Sequence, residues 1–367
     1  MSGALVELVS KGAQDVYFIN NEGVNSLFKT VFTRHTNFAM APKRLEFSGQ
    51  QPQANGTSSV FIRSFGDLVN YVWIEGDNLT QHLAGTTFDL YIGGQKIDSQ
   101  SYEFLVYVWQ QYQAESYSKA EIQSSYISKS GSQSFMPMQF FFCNMQSFLP
   151  VLALQYHEVE IRISWGPDVG GASNIRTFAN YVYLDTRERE AMIQKPMEII
   201  ISQVQRYQFP ISEPQTTVDL SVFNHPVKTI FFGANATADN LQDSFTFSDA
   251  SFQLNGTEVF EGMTPVYFYV VQSFFHTSFA HISFTDKLDN SSPLPKNQPK
   301  YTLMYMYNFC LNTTSYRPTG TCNFSRIDNA KLILNNVSSN KDTGYVYAIN
   351  YNILKIQKGL GGILFSN

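Results

Sequence analysis

Six histidines are the residues of this 367-residue sequence best suited to metal binding or acid–base chemistry. They are His35, His82, His157, His225, His276 and His281. No His-Glu-x-x-His pair occurs, and His276 and His281 stand five residues apart without acidic or thiol partners at ligand spacing. We therefore interpret the histidines as core or turn residues and expect no metal site.

Two glutamates on one predicted strand have the spacing of an acid–base pair. Glu158 and Glu160 share a strand face, as the paired carboxylates of a glycosidase would. Arg162 continues that face, which favours a solvated charged surface instead. The sequence lacks a Gly-x-Ser-x-Gly nucleophile motif and a Gly-x-x-x-x-Gly-Lys-Ser/Thr phosphate loop. We expect no catalytic residue and no cofactor, and we interpret the glycine-rich segment Gly359-Leu-Gly-Gly362 as a flexible tail.

Three cysteines, Cys143, Cys310 and Cys322, are too few for a disulfide framework, which is typical of a reducing compartment. Cys310 and Cys322 flank a predicted turn and could pair across it. Buried free thiols are the favoured interpretation, because unpaired cysteine behaves as a small apolar residue.

Asn-x-Ser/Thr sequons are frequent in this chain, which is rich in all three residue types. They lie at Asn55, Asn78, Asn235, Asn255, Asn290, Asn312, Asn323 and Asn336. The N-terminus lacks a basic region followed by an apolar core, so we expect maturation in the cytosol and no secretory glycosylation. Asn290 lies in the segment Asp286–Lys300, rich in Pro, Ser and Asn and predicted to be an exposed loop. It is the candidate glycosylation site for a dedicated system.

An internal repeat supplies the elements that would position any site. Adding 162 to a residue number carries several stretches onto similar ones. The pairs are Arg44–Phe47 with Arg206–Phe209, Val60–Phe61 with Val222–Phe223, Ile92–Gly94 with Leu254–Gly256, and Ile97 with Val259. A single shift that serves all of them indicates duplication of one unit.

Each half offers short strand candidates separated by turn signals. They are Lys43–Phe47, Ser58–Arg63, Leu68–Ile74, Phe88–Ile97, Phe135–Cys143 and His157–Trp165, then Met197–Phe209, Thr229–Phe232, Ser251–Phe260, Tyr301–Leu311, Ala330–Leu334 and Tyr345–Ile356. Gly93-Gly94 and Asn255-Gly256 predict tight hairpin turns within two of them. Helical spacing follows the first hairpin, where Tyr102, Leu105, Val106, Trp109 and Tyr112 recur at steps of three and four, and Val266–Phe275 holds the corresponding place in the second half.

This pattern predicts an all-β fold of two tandem jelly-roll β-sandwiches, a double jelly roll, with short helices in the connecting loops. The predicted organisation is an N-terminal arm over residues 1–40, a first jelly roll over 41–190, and a second jelly roll with a C-terminal tail over 191–367. The charged segment Asp185–Ala191 is predicted to be the helical connector between them.

Composition excludes two classes of partner. The net charge is −5 without a basic block, so direct nucleic-acid binding is not expected. No apolar run approaches the ~20 residues that cross a bilayer as a helix, so no transmembrane segment is expected. Aromatic residues make up 15% of the chain, which suits large sandwich cores.

Eight stretches of the sequence form a recognisable set: Gly12–Tyr17, Arg34–Met40, Ile92–Asp98, Leu152–Val159, Tyr183–Arg189, Phe223–Lys228, Pro318–Asp328 and the ending from Asn350 to Asn367. They resemble the major capsid proteins of the nucleocytoplasmic large DNA viruses, the double jelly-roll capsid protein family. They span nearly the whole chain in the order that the family has. The family has no catalytic residues to carry over.

The resemblance implies a structural protein of the virion, assembled in the host cytoplasm. Three copies are implied to form a pseudo-hexagonal capsomer that contacts neighbouring capsomers, with minor capsid proteins beneath an icosahedral shell that lies over an internal membrane. The arm and the terminal tail are the expected contacts beneath the capsomer.

Two other functions remain open at this point. A minor or paralogous capsid protein, or a glycan-binding attachment protein of the same fold, would place clustered aromatic residues in long loops, and the loops here look short. A β-sandwich hydrolase would need a convergent acid–base or metal cluster, and the sequence offers none.

Overall fold

A computed structural model describes residues 10–19, 34–116, 118–120, 122, 133–234, 245–278, 304–339 and 341–366. The chain divides into two compact units, Met1–Asn37 and Phe38–Asn367. In the first unit the described residues form a 3-10 turn, Asp15–Tyr17, whose Asp15 carboxylate accepts a hydrogen bond from the Gly12 amide at 2.7 Å. The larger unit holds the sheets.

Nine strands of the first half form two antiparallel sheets. The strands are β1 (Phe38–Leu45), β2 (Phe47–Gly49), β3 (Thr57–Ile62), β4 (Leu68–Asp77), β5 (Thr87–Ile92), β6 (Gln95–Ser101), β7 (Gln133–Pro137), β8 (Val159–Ser164) and β9 (Ser173–Leu184). One sheet has the order β1-β9-β4-β7 and the other the order β2-β3-β8-β5-β6.

Twelve strands follow in the described part of the second half. They are β10 (Met197–Pro210), β11 (Gln215–Asp219), β12 (Pro226–Gly233), β13 (Phe245–Thr246), β14 (Asp249–Leu254), β15 (Thr257–Met263), β16 (Met304–Asn308), β17 (Cys322–Asn323), β18 (Ala330–Asn335), β19 (Ser338–Ser339), β20 (Thr343–Gln357) and β21 (Leu360–Ile363). The main sheet runs β10-β20-β12-β16, with β17 added beside β12 and β21 beside β20. The facing sheet runs β11-β18-β14-β15, and β13 pairs with β19.

The two halves repeat one strand order. The sheet β1-β9-β4-β7 matches β10-β20-β12-β16, and β3-β8-β5-β6 matches β11-β18-β14-β15. Each half is therefore a jelly roll, and the predicted double jelly roll is confirmed. We call the halves the first roll and the second roll.

Short helices occupy the connections, as expected. The first-roll helix is the π-helix Phe104–Gln113, and the second-roll helix is the π-helix Tyr267–Val271 continued by the α-helix Gln272–His276. The predicted connector is the α-helix Thr186–Gln194, which has no buried residue. Further 3-10 turns are Leu79–His82, Val151–Ala153, Val169–Gly171 and Phe324–Arg326.

Both predicted hairpin turns are confirmed. Gly93 and Gly94 have φ values of 57° and 80°, and Asn255 and Gly256 have φ values of 47° and 78°. Two consecutive positive φ values are what a type I′ turn requires, and glycine and asparagine adopt them at low cost. The Asn255 side chain also accepts hydrogen bonds from the backbone amides of residues 328 and 329, both at 3.1 Å.

One of the four matched pairs of the repeat, Val60–Phe61 with Val222–Phe223, was wrong. Val60 lies in β3 and is fully buried, whereas Val222 lies in the turn after β11 and is 46% exposed. The shift of 162 fails here because the connection before β11 is shorter than the connection before β3. It holds at the hairpins, where Ile92 and Leu254 both end the first strand.

The flexible tail predicted at Gly359–Gly362 was also wrong. Gly359, at φ 80°, completes a turn, and β21 then pairs with the end of β20. A Cβ atom at Gly361 would lie 2.5 Å from Leu154 Cδ2, so this glycine packs closely against a buried side chain and is part of an ordered strand. His157 Nδ1 lies 2.8 Å from the Gly361 carbonyl oxygen, and this contact holds the same strand.

Two further expectations need comment. The predicted strand Phe135–Cys143 ends early, because β7 stops at Pro137 and the buried residues beyond it lie outside regular strands. The predicted loop Asp286–Lys300 lies outside the described residues.

Two apolar cores fill the rolls, and the first extends past its own roll. It includes Ile201, Phe231, Met304, Met306 and Tyr347, which all belong to the main sheet of the second roll. The second core lies inside the second roll, where aromatic rings contact one another in a continuous network through Phe232, Phe268, Tyr305 and Phe247. The second roll's main sheet is thus covered by apolar residues on both faces.

We expect Phe324→Ala to lower the free energy of unfolding by about 3–5 kcal/mol, because the side chain is buried and its loss leaves a cavity. Its ring lies 5.7 Å from that of Phe309 and 6.4 Å from that of Phe223. Denaturant unfolding measures the change. The exposed Phe365, changed to alanine, is the matched control with an expected effect within ~0.5 kcal/mol; equal effects in the two variants would contradict the assignment.

Candidate assembly interface

Several of the candidate side chains make structural contacts within the described residues. No group of three or more His, Cys, Asp or Glu side chains in that part of the chain could hold a metal ion. His157 contacts the Gly361 backbone, and the rings of His82 and His157 fill the space in front of Gly171 and Gly93. His281 lies outside the described residues.

The glutamate pair forms part of a charged surface, as interpreted from the sequence. Glu160 Oε2 lies 2.9 Å from Arg162 Nη2, and Ser59 donates to Glu160 Oε1 at 2.6 Å. The Arg162 hydrogen bond lowers the pKa of Glu160, which is the opposite of what a general acid needs. Arg162 also stacks its guanidinium 4.1 Å from the centre of the Tyr91 ring.

All three cysteines are free thiols, with Cys143 and Cys310 buried and Cys322 half-buried. Burial raises the pKa of Cys143 to about 12, so its reactive thiolate form is suppressed. The predicted free thiols thus have the surroundings of structural residues.

Four of the sequon asparagines have a left-handed backbone conformation. Asn55, Asn78, Asn255 and Asn336 have φ values of 55°, 54°, 47° and 48°. Asparagine tolerates this left-handed region better than most residues, so turn geometry explains these four positions. The candidate Asn290 lies outside the described residues and stays a prediction.

The two rolls meet where the first-roll helix packs on the outer face of the second roll's main sheet, a contact that we call the junction. Tyr112 is fully buried there, with its ring 5.5 Å from that of Phe231. Its hydroxyl donates to the Met304 carbonyl oxygen at 2.8 Å. At the other end of the helix, the Phe104 ring lies 5.6 Å from that of Tyr347. An apolar helix face thus covers an apolar sheet face.

A buried carboxylate ties the backbones of the two rolls together. Asp98 in β6 accepts hydrogen bonds from the Val204 amide of β10 and from Gln100 Nε2, both at 2.8 Å. Gln203 Nε2 donates to the Ile97 carbonyl oxygen beside it. Burial raises the pKa of Asp98 to about 6.

A buried lysine lies close to the junction on the second roll. Lys228 Nζ donates to the Thr313 carbonyl oxygen at 2.8 Å and lies 5.6 Å from the centre of the Tyr351 ring. Burial lowers the pKa of this ammonium group to about 8. Sequence reasoning missed both Asp98 and Lys228, since a single charge in a strand gives no sign of its burial.

Elements of the junction occur a second time, at positions where the described residues do not bring them together. The second-roll helix exposes Phe274 and Phe275, whose rings lie 5.1 Å apart. On the outer face of the first roll's sheet, Trp73 and Phe178 stack at 5.6 Å and are only half-buried. Exposed aromatic clusters of this kind mark contact surfaces.

Two family models divide the chain between them. The model described as major capsid protein N-terminus matches residues 26–185, and the model described as large eukaryotic DNA virus major capsid protein matches residues 188–362. The major capsid protein of Pyramimonas orientalis virus is 33% identical over 404 aligned positions that cover 100% of both chains. The chain belongs to the large eukaryotic DNA virus major capsid protein family.

Another relative is similar in sequence, and two solved structures share the fold. That of Paramecium bursaria Chlorella virus 1 is 27% identical, with 100% of both chains covered. The PBCV-1 virus capsid structure superposes with a TM-score of 0.77 at 23% identity, covering 93% of this chain and 100% of that one. The Faustovirus major capsid protein gives a TM-score of 0.72 at 9% identity, covering 95% of each chain.

This capsid protein is therefore a structural protein of the virion shell, and the resemblance seen in the sequence is confirmed. Among the helices within the described ranges, none is long and apolar enough to cross a membrane.

We expect the stability of this capsid protein to fall as the pH rises from about 4 to 7 through Asp98. The folded pKa is about 6 and the ordinary value is 3.8, so the folded state binds the proton more tightly. The contribution is complete below the ordinary value and is lost as the pH rises through 6, by at most about 3 kcal/mol.

Asp98→Asn keeps an acceptor oxygen for the Val204 amide and cannot ionise, so it removes this pH dependence. Urea unfolding of both proteins at pH 4.5 and pH 7 measures it, with Asp168→Asn, an exposed site, as the control. The prediction would be contradicted if the unfolding free energies of wild type and Asp98→Asn changed by the same amount between the two pH values.

Proposed function

We propose that three copies of this chain form a pseudo-hexagonal capsomer that tiles an icosahedral shell. The observation that carries the proposal is the repeated strand order of the two rolls, which meet within one chain through the junction. Two similar rolls in each of three copies give a closed ring six similar lateral faces. Threefold symmetry closes the ring, and contacts between rings continue into a lattice.

The division of labour along the chain follows the predicted boundaries. The arm over residues 1–40 and the C-terminal residues contact minor capsid proteins beneath the capsomer, over an internal membrane. The rolls over 41–190 and 191–367 form the wall. Strand β1 begins at Phe38, so the last three residues of the predicted arm belong to the first roll.

The protein acts through shape rather than through catalysis, and it assembles in the host cytoplasm. The lowered pKa of Glu160, the buried Cys143 thiol and the backbone contacts of His157 support a structural role for side chains that could otherwise do chemistry.

Light scattering is expected to give a mass near three times the 41.7 kDa of the chain. Negative-stain images of the same peak are expected to show a six-cornered outline. A monomer at every concentration tested would contradict the capsomer, and a dimer would contradict its symmetry.

Removal of residues 1–24 is expected to leave the trimer intact and to impair lattice formation, because the arm is proposed to make contacts beneath the capsomer rather than within it. Light scattering reports the trimer, and electron microscopy of assembly reactions reports the lattice. Normal lattices from the shortened chain would show that the arm is dispensable.

A further inference from the structure

The two roll helices are counterparts. Each follows the second strand of a hairpin, β6 or β15, and precedes the next strand of the main sheet, β7 or β16. Each also contains a π-helix, a rare conformation that here recurs at the same place in both rolls. Counted from the first π-helical residue of each, Leu105 corresponds to Phe268 and Tyr112 to Phe275.

On one side of the two helices the corresponding residues are equally buried. On the other side their burial differs. Leu105 and Phe268 are both fully buried in their own rolls. Tyr112 is also fully buried, in the junction, whereas Phe275 is 68% exposed and its neighbour Phe274 is 79% exposed. The face that the first-roll helix buries against another roll is therefore left uncovered on the second-roll helix.

The surface that receives the first-roll helix also has a counterpart. Phe231 is paired with Tyr347 across β12 and β20, and Trp73 is paired with Phe178 across β4 and β9. Both ladders have a register shift two residues earlier, which ends at Thr229 in the second roll and at Tyr71 in the first. The shared shift aligns Trp73 with Phe231 and Phe178 with Tyr347.

This receiving surface on the first roll is aromatic. Trp73 and Phe178 are stacked and half-buried, whereas Phe231 and Tyr347 are buried. A cavity of about 490 Å³ borders it at Tyr71 and Trp73 and reaches the junction, where Phe104 and Tyr351 also line it. Each roll therefore has both a helix and a receiving surface. Within one chain, the first-roll helix packs on the receiving surface of the second roll.

We propose that Phe274 and Phe275 of one copy pack on the Trp73–Phe178 pair of a second copy of this chain, repeating the junction between chains. The inference rests on the proposed trimer and names the contact that closes it. Three such contacts and three junctions alternate around the ring. The contact between chains is wholly apolar at position 275, where phenylalanine replaces the tyrosine that donates to Met304 in the junction.

Phe275→Glu is the direct test. The side chain is exposed in the single chain, so the melting temperature under dissociating conditions is expected to stay unchanged. A charge buried in the proposed contact is expected to raise the concentration for half-dissociation of the trimer at least about 30-fold, the effect of losing one hot-spot side chain. Sedimentation equilibrium measures that concentration.

Two matched variants control for aromatic shape and for added charge. Phe275→Tyr places in the second-roll helix the residue that position 112 already has, and it is expected to keep the trimer. Val222→Glu adds the same charge at an exposed position of the second roll and is also expected to keep it. A trimer equally stable in Phe275→Glu and wild type would overturn the contact, while a wild-type monomer would overturn the proposed trimer itself.

Cross-linking tests the acceptor independently of any loss of assembly. A chain with both Glu75→Cys, two residues from Trp73 on the same strand face, and Ser278→Cys, three residues after Phe275, keeps the aromatic contact. Treated as a trimer with a bismaleimide, it is expected to give covalent dimers and trimers on denaturing gels. Each single variant is expected to stay monomeric on the gel, because the native thiols are buried or half-buried. Absence of interchain products from the double variant would place the helix elsewhere and overturn the proposal.

Discussion

The main sheet of the second roll has to be covered on both faces, and the rest of the fold depends on this requirement. Side chains of β12 alternate between the second roll's own core, through Phe232, and the junction, through Phe231. A sheet buried on both faces cannot be stable as an isolated layer, because either apolar face would remain in water. The first roll is therefore a structural requirement of the second, and the junction is a continuation of the first core rather than a linker.

Polar groups at the junction add direction to a contact that apolar packing alone would leave loosely defined. Apolar contact is not directional, whereas a hydrogen bond from the Val204 amide to the Asp98 carboxylate fixes how β6 meets β10. Burying that carboxylate has a free-energy cost, which appears as its raised pKa. The hydroxyl of Tyr112 serves a similar purpose at a lower cost, because it is neutral and reaches a backbone carbonyl.

Features that depend on neighbours in sequence were predictable. The strand candidate His157–Trp165 contains β8, and the dipeptides Gly93-Gly94 and Asn255-Gly256 predicted both hairpin turns. Features that depend on distant neighbours were not. Gly361 looked flexible in the sequence, and its close neighbour Leu154 lies about two hundred residues earlier. Val204, which donates to Asp98, and Phe231, which packs against Tyr112, belong to the other roll. Phe274 and Phe275 lie in the segment that was expected to match the first-roll helix. The sequence did not show that their side chains are exposed, and comparison with the buried Tyr112 was needed to recognise them as a candidate contact surface.

The asparagines with a left-handed backbone conformation limit which substitutions can be used to test for glycosylation of this protein. Replacing Asn55, Asn255 or Asn336 by glutamine would force a longer side chain into a backbone region that it disfavours, so a change in behaviour would confuse a lost glycan with a strained turn. The hydroxyl residues that complete these sequons, Thr57, Thr257 and Ser338, are exposed, and alanine there would erase the acceptor sequence while leaving each turn as it is. At Asn78 that route is closed, because Thr80 is buried.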